Sequence, residues 1–220
     1  IKYPSEGGNR GLNILSCVGN KAVLMSGEAK NSVGFVSGKS GRFSEQIIIH
    51  FEKKVREKIS INDKILIKSF GVGLKIKNFE NVYCKSLSPE IFNKMNIKIK
   101  NKKLLIPVTH VIPEHLVGAG SGLTSESGSL HIQTTDISEM KKYKLNSLRL
   151  GDFVYIENYD SSYQHGFLRK AWAVGIVGQT NGPRAGYGPG LTVLMSSKIN
   201  NGIPKLNSNS NIVNYLKFKK

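Results

Sequence analysis

The stretch from Val23 to Gly41 reads VLMSGEAKNSVGFVSGKSG. A strand ends at Ser26-Gly27, and a tight loop carries Glu28-Ala29-Lys30. Gly34 then permits a new strand through Phe35-Val36, and Gly38 and Gly41 allow further turns. The same rhythm continues along the chain. Short runs rich in Val, Ile, Phe and Tyr predict strands at 13–18, 21–26, 33–37, 46–51, 64–70, 103–109, 130–133, 152–157, 171–178 and 191–196. Glycines, 23 in all, separate them. Many short strands with regular turn signals predict a mainly β, barrel-like fold with few helices.

The opening stretch resembles the KOW element of SH3-like barrels, known from ribosomal and transcription-elongation proteins. The resemblance implies an SH3-like β unit over residues 1–105, with Lys30, Lys39 and Arg42 as phosphate contacts. The plainer reading is a hairpin with a tight turn, since no aromatic residues alternate with the basic ones to stack bases. A second β unit with glycine-rich polar loops is expected over 106–200, followed by an exposed tail over 201–220 with one docked turn or strand near 212–216.

Helix signals are local. Ser88-Pro89-Glu90 offers an N-cap hydroxyl, proline at the first helical position and an acid at the positive dipole end. Asp136-Ile137-Ser138-Glu139 resembles a capping box. A third, weaker helix is expected over 52–58. There is also an internal echo. Asn62-Asp63 followed by Lys64-Ile65-Leu66-Ile67 matches Gly151-Asp152 followed by Phe153-Val154-Tyr155-Ile156. Each is a turn, an Asp and a strand.

The net charge is +17, with 32 basic and 15 acidic side chains. Residues 1–110 carry 20 basic and 8 acidic groups, net +12, leaving +5 for 111–220. Such a field attracts polyanions. Yet 26 of the 32 are Lys and only 6 are Arg, the better phosphate reader. Lysine and asparagine in this proportion are also what AT-rich coding writes at permissive surface positions, so charge alone does not favour nucleic acid. The run Lys98-Ile99-Lys100-Asn101-Lys102-Lys103 reads as an exposed strand or turn whose lysines block edge pairing. No stretch approaches the roughly 20 apolar residues of a membrane span. Cys17 and Cys84, the two cysteines, are expected as buried small hydrophobes. The chain opens on Ile1 with no secretory or transit signal, which reads as a cytoplasmic protein with something upstream removed or left out.

The chemically able side chains gather in residues 110–190. Gly118, Gly120, Ser121 and Gly122 form one amide-rich loop, and Gly188 and Gly190 belong to another. Successive glycine amides can cradle an anion. Thr134, Thr135 and Asp136 sit at a strand-to-helix junction. Asp160 and His165 lie in a long polar loop, with Arg169 following and Arg184 in the next loop. A carboxylate, a His and an Arg in such loops would serve as base, acid and anion clamp. On this reading Asp160, His165 and Asp136 are the catalytic candidates, and the glycines, threonines and arginines bind the ligand. The duller reading has Asp160 capping a turn and pairing with Arg169. His110 and His115 are separated by Pro113, so they do not share a helical face as paired metal ligands would. No metal site and no known cofactor motif is read.

Together, SCVGNKAVLMSGEAK, GFVSGKSG, LIPVTHVIPEHLVGAGSG, HIQTTD, GDFVYIENYDSSYQHGF and GYGPGLTVLMSS, in this order, resemble the bacterial family called domain of unknown function 4438. The resemblance covers roughly residues 13–197 and implies no activity. It implies a further N-terminal region before the segment that opens here. Relatives tend to have His where this chain has Tyr187, and a His-containing segment where it reads Gly178-Gln179-Thr180. Asp160, Arg169, Thr134, Thr135 and Asp136 match the pattern.

Three functions follow as expectations. The first is a small anionic ligand-binding protein or enzyme whose loops 118–122, 131–136, 157–169 and 182–190 meet in one pocket, with an Asp near an Arg. The second is a nucleic-acid-binding module using Lys30, Lys39 and Arg42. The third is an assembly protein whose apolar strand edges make a homo-oligomer.

Overall fold

The computed structural model describes residues 1–40, 46–118, 129–180 and 188–216. In chain order these hold α1 (Glu6–Leu15), β1 (Lys21–Leu24), β2 (Val33–Ser40), β3 (Gln46–His50), α2 (Lys53–Arg56), β4 (Ile65–Lys68), β5 (Val82–Cys84) and α3 (Pro89–Lys94). There follow β6 (Lys98–Lys100), β7 (Lys103–Val108), β8 (His110–Ile112), β9 (Val117–Gly118), β10 (Leu130–Ile132), α4 (Ile137–Lys142), β11 (Phe153–Asp160), β12 (Gly166–Gln179), β13 (Gly190–Ser197), β14 (Gly202–Leu206) and α5 (Ile212–Leu216). The fold is mainly β, as the strand rhythm predicts.

The largest sheet runs β8-β11-β12-β13-β10-β9, with β5 added on β13. Its end strands, β8 and β9, are consecutive in the chain, joined through Pro113 and the 3-10 turn Glu114–Leu116. The sheet therefore curls until its two edges meet at one short turn, giving a nearly closed barrel with little unpaired edge. Alternation along the strands divides two cores. Val154 and Ile156 of β11 pack with Ile112, Leu130, Leu191 and Val193 inside the barrel. Phe153 and Tyr155 point the other way, onto Trp172, Val174 and Ile176. That outer core is closed by Leu104, Ile106 and Val108 of β7, in a three-stranded sheet ordered β14-β7-β6. Trp172 is fully buried, stacks on Tyr155 and donates Nε1–H to Asn201 Oδ1 at 2.9 Å. Gly202 is required beside it: a Cβ there would lie 2.5 Å from the indole.

The N-terminal part forms a four-stranded antiparallel sheet, β3-β2-β1-β4, over Ala22, Leu24, Ala29 and Phe51. The far end of β2, still paired with β3, lies against the barrel. Gly38 packs so close to Gly178 that a Cβ would come within 2.9 Å of the Gly178 Cα. Lys39 N–H donates to Thr192 Oγ1 at 2.9 Å.

The internal echo is one turn made twice. Asn62 and Gly151 both have positive φ, 75° and 82°. The next residue is Asp in each, and its Oδ2 accepts a backbone N–H three residues back, Ser60 at 2.8 Å and Arg149 at 2.9 Å.

Ser88 and Asp136 cap α3 and α4 as their sequences predict. Glu139, however, does not reach back to complete a box; it holds His115 and Lys142. Two expectations are corrected. Residues 13–18 are not a strand: 6–15 form α1, capped by Ser5 Oγ on Gly8 N–H, with Asn13 Nδ2 donating to Asn9 O at 2.8 Å. Residues 201–216 are not an exposed tail: β14 pairs in parallel with β7, and Ser210, Ile212 and Leu216 are buried. The division expected between residues 105 and 106 falls inside β7.

Candidate functional site

The described parts of the loops expected to meet in one pocket separate to opposite ends of β12. Asp160 pairs with Gly166 at one end, while Gln179 pairs with Gly190 at the other. The path along β12 between them is on the order of 40 Å at the rise of an extended strand. At the Gln179 end, Gly118 pairs with His131, and His131 pairs with Gly190. Gly188 lies just ahead, buried, with φ 114°. Gly120, Ser121, Gly122, Arg184 and Arg42 lie outside the described residues.

This end of the barrel carries a polar chain. Ser40 Oγ donates to Gln179 Oε1, and Gln179 Nε2 meets His131 Nε2 at 3.1 Å. With the amide oxygen engaged, the amide N–H is what faces the imidazole, so His131 Nε2 accepts and the ring is neutral. Burial also lowers the His131 pKa. A Cβ at Gly190 would strike Gln179 at 2.3 Å, so the glycine makes room for this chain rather than for a ligand.

At the other end, Asp160 Oδ1 accepts from Ser162 N–H at 2.8 Å, and Lys198 Nζ stands 4.0 Å from Oδ2. Asp160 caps its turn, then, but the cation beside it is Lys198. Arg169 lies on the exposed stretch of β12. His165 Nδ1 meets Ser161 Oγ at 3.1 Å. Ser161 is fully buried and its N–H is held by Ser196 Oγ at 2.9 Å, so this Ser–His contact fixes the turn and presents no nucleophile. Asp136 is the exposed cap of α4, its carboxyl held below the usual range by the Ser138 hydroxyl and the Glu139 N–H. The N–H groups of Thr134 and Thr135 both turn to Gln133 Oε1, at 3.1 and 3.4 Å.

Lys30 is exposed in its turn, but Lys39 is corrected from a surface contact to a buried residue, 3% exposed. Its ammonium donates to Asn13 O at 2.5 Å. The glycines around Lys39 let β2 press against the barrel, and the lysine is covered by α1.

A different place gathers cations. Between β8, the segment after α4 and the residues after β14 lies an open cleft of about 760 Å3, lined by His110, Lys142, Lys144, Ser147 and Arg149 among others. None of the described lining residues is acidic. Asp152, fully buried behind it, accepts from Arg149 N–H at 2.9 Å and Arg149 Nη2 at 3.2 Å. Arg149 Nη2 also donates to Ser208 O at 2.9 Å. Here is the aspartate beside an arginine that the sequence led one to seek at Asp160 or Asp136.

His110 is held at both nitrogens. Nδ1 meets Thr109 Oγ1 and Nε2 meets Ser147 Oγ, each at 2.9 Å. The two hydroxyls spend their protons on backbone carbonyls: Thr109 on Phe153 O at 3.1 Å, Ser147 on Lys144 O at 2.8 Å. Each therefore turns a lone pair to the ring, an arrangement that only a doubly protonated imidazole satisfies fully. Burial works against the charge and lowers the pKa, with Arg149 adding to it; Asp152 raises it. An anion in the cleft would tip this balance towards the cation.

Sequence reasoning missed His110, Lys144, Ser147 and Arg149, because they come from segments that only the barrel brings together. One usable signal was present: Arg149 lies two residues before the repeated turn at Gly151-Asp152. Among the described residues no three of His, Cys, Asp and Glu come together to hold a metal, and no helix is long and apolar enough to cross a membrane.

The sequence matches two family profiles: "Domain of unknown function (DUF4438), N-terminal" over residues 1–93, and its C-terminal counterpart over 94–216. No curated protein matches it. Among solved structures it is similar to the crystal structure of TM1086, with 35% identity and a TM-score of 0.90 over 97% of this chain and 75% of that one.

Proposed function

We propose, from the premise that this chain belongs to the DUF4438 family, that it binds a small anionic ligand in the His110–Arg149 cleft. The family description carries no activity, so the reading rests on the site. The observation that carries it is the lining: Lys144, Arg149 and His110, with Lys142 held by Glu139, around a cleft of ligand size with no acid among its described lining residues. Arg149 is oriented by Asp152 from behind and by Ser208 O from the side, so part of the ordering cost of binding is met before the ligand arrives.

The ligand-binding reading stays in the C-terminal half, where the glycine-rich loops suggested it. At the barrel end, Gly118 and Gly190 pair with His131 and Gly190 makes room for Gln179, so the reading does not rest on them. Thr134, Thr135, Asp136, Asp160, His165 and Arg169 keep their expected roles only as proposals. Two free thiols, Cys17 and Cys84, fit a reducing, cytoplasmic setting.

Isothermal titration with sulfate and with inorganic pyrophosphate tests the reading. Binding of either should weaken roughly 10- to 100-fold in Arg149→Gln, the size of one lost charge-assisted hydrogen bond. Binding that Arg169→Gln abolishes and Arg149→Gln leaves intact would move the site to the other end of the barrel.

A further inference from the structure

The cleft does not end at Asn207. That residue also lines a second depression of about 270 Å3, on the solvent face of the β14-β7-β6 sheet, together with Lys94, Lys98 and Lys205. The three lysines come from α3, β6 and β14, and all are exposed, Lys94 in an ion pair with Glu90 at 2.7 Å. Again none of the described lining residues is acidic. The two depressions therefore meet at Asn207, with Lys94, Lys98 and Lys205 on one side of it and Lys144 and Arg149 on the other.

A cluster of lysines on a +17 surface needs more than its charge to mean anything. Two further features give it shape. The first is continuity, since Asn207, just past the end of β14, lines both depressions. The second is the walls. Leu105, Pro107 and Met95 line the smaller depression, and Val111, Leu206 and Tyr143 the larger. Leu206 is 69% exposed, a large apolar side chain left in water at the larger depression, on the face of β14 opposite Lys205. Bare inorganic anions gain nothing from such walls. Sugars and bases do, through apolar contact and stacking.

We infer that the two depressions form one groove for a single strand of nucleic acid, held by its phosphates along the lysines. This rests on the anion-binding reading of the larger cleft and extends it to a chain-like ligand. A duplex is too broad to enter a depression of this size. Lys39 of the hairpin at 23–41 takes no part, because it is buried.

The test is fluorescence anisotropy with labelled single-stranded RNA and DNA of roughly 12 nucleotides, within the usual span of such grooves. If about five phosphates are neutralised, log Kd changes with log salt at a slope near 3.5, so affinity drops about 100-fold between about 50 and 200 mM salt. The triple variant Lys94→Ala, Lys98→Ala, Lys205→Ala should lower that slope by about 2 while leaving sulfate binding at Arg149 intact. Its melting temperature checks that the sheet still folds.

An oligonucleotide bound no tighter than sulfate, with the triple variant unchanged, overturns the groove and leaves the small-anion reading standing. Failure of sulfate, pyrophosphate and oligonucleotide alike overturns both. Loss of oligonucleotide binding in Lys30→Ala, but not in the triple variant, also overturns it in favour of the hairpin. Competition by inorganic polyphosphate that matches the oligonucleotide charge for charge does the same, because the apolar walls would then contribute nothing. RNA bound more tightly than DNA supports the groove and assigns its source.

Discussion

Asp152 Oδ1 accepts a hydrogen bond from Asn211 Nδ2 at 2.7 Å, across 59 residues of sequence. The same amide nitrogen donates to Leu150 O at 2.9 Å. The carboxylate thus ties the C-terminal segment to the start of β11 while its other contacts orient Arg149 at the cleft. In Asp152→Ala these donors lose a buried acceptor. The expected cost is about 2–3 kcal/mol of folding stability, with weaker sulfate binding as well. Urea unfolding followed by the fluorescence of Trp172 measures the first and calorimetry the second. A stable variant with full anion affinity would show that Asp152 neither anchors nor orients.

Lys144 separates binding from stability. Its φ of 57° places a side-chain-bearing residue in the left-handed region, which costs about 1–2 kcal/mol relative to glycine. Lys144→Gly is expected to raise stability, or leave it level, while weakening sulfate binding. Loss of both together would mean that the lysine packs rather than binds.

The cleft should take up a proton with its ligand. A bound anion raises the His110 pKa above its depressed free value, so affinity rises as pH falls from about 8 towards the free value. Sulfate suits the measurement because its charge is constant over this range. The groups around the ring are Arg149, which opposes protonation, and Asp152, which favours it. His110→Asn should flatten the profile, and a flat profile in the unaltered protein would remove His110 from the site.

Stability without ligand should move the other way. His131, His110 and His50 all have pKa values below the ordinary 6.5, chiefly because burial disfavours the charged ring. Above about pH 7 folded and unfolded chains are equally deprotonated at these sites. As pH falls through 6.5 the unfolded chain takes up protons first, and stability is lost towards the lower folded values. The melting temperature should decline between about pH 7 and 5, less steeply in His131→Gln. An unchanged slope in that variant would contradict the neutral ring facing Gln179.

Both cysteines should be inert in the native state. Burial pushes the Cys17 thiol up, against a smaller opposing effect of Lys39, and burial pushes Cys84 up to about 12. Iodoacetamide near pH 8 is expected to label them only after denaturation. Fast native labelling of either would show that its segment opens.

What could be read from the sequence was local. Ser88 and Asp136 announce their helices because a cap is written within four residues. The strands from β1 to β4 and from β11 to β13 carry their own apolar runs. Helix α1 was hidden because its glycines at 7, 8 and 11 argue against a helix, and the run ILSCV after them resembles a strand. What holds α1 is Ser5 and the cover it gives Lys39, and neither shows in a propensity. Strand β14 was hidden because GIPKL contains a proline and its partner is far away. The candidate site failed to appear for the same reason. His110, Lys144 and Ser208 acquire meaning only once the barrel closes, and Lys39 looked available because its burial depends on an approach between Gly38 and Gly178.

The parallel pairing of β14 with β7 sets an order of events during synthesis. Leu104 finds its register partner in Gly202, so the ribosome must make 98 further residues before this sheet can form. Until then the edge of β7 that β14 will pair, along Leu104–Val108, has no strand beside it. Long-range parallel pairing is slow, and the waiting surface is prone to wrong partners. The emerging chain is therefore a natural client for a chaperone during the interval between β7 and β14, and synonymous changes that slow translation there should lower the yield of folded protein.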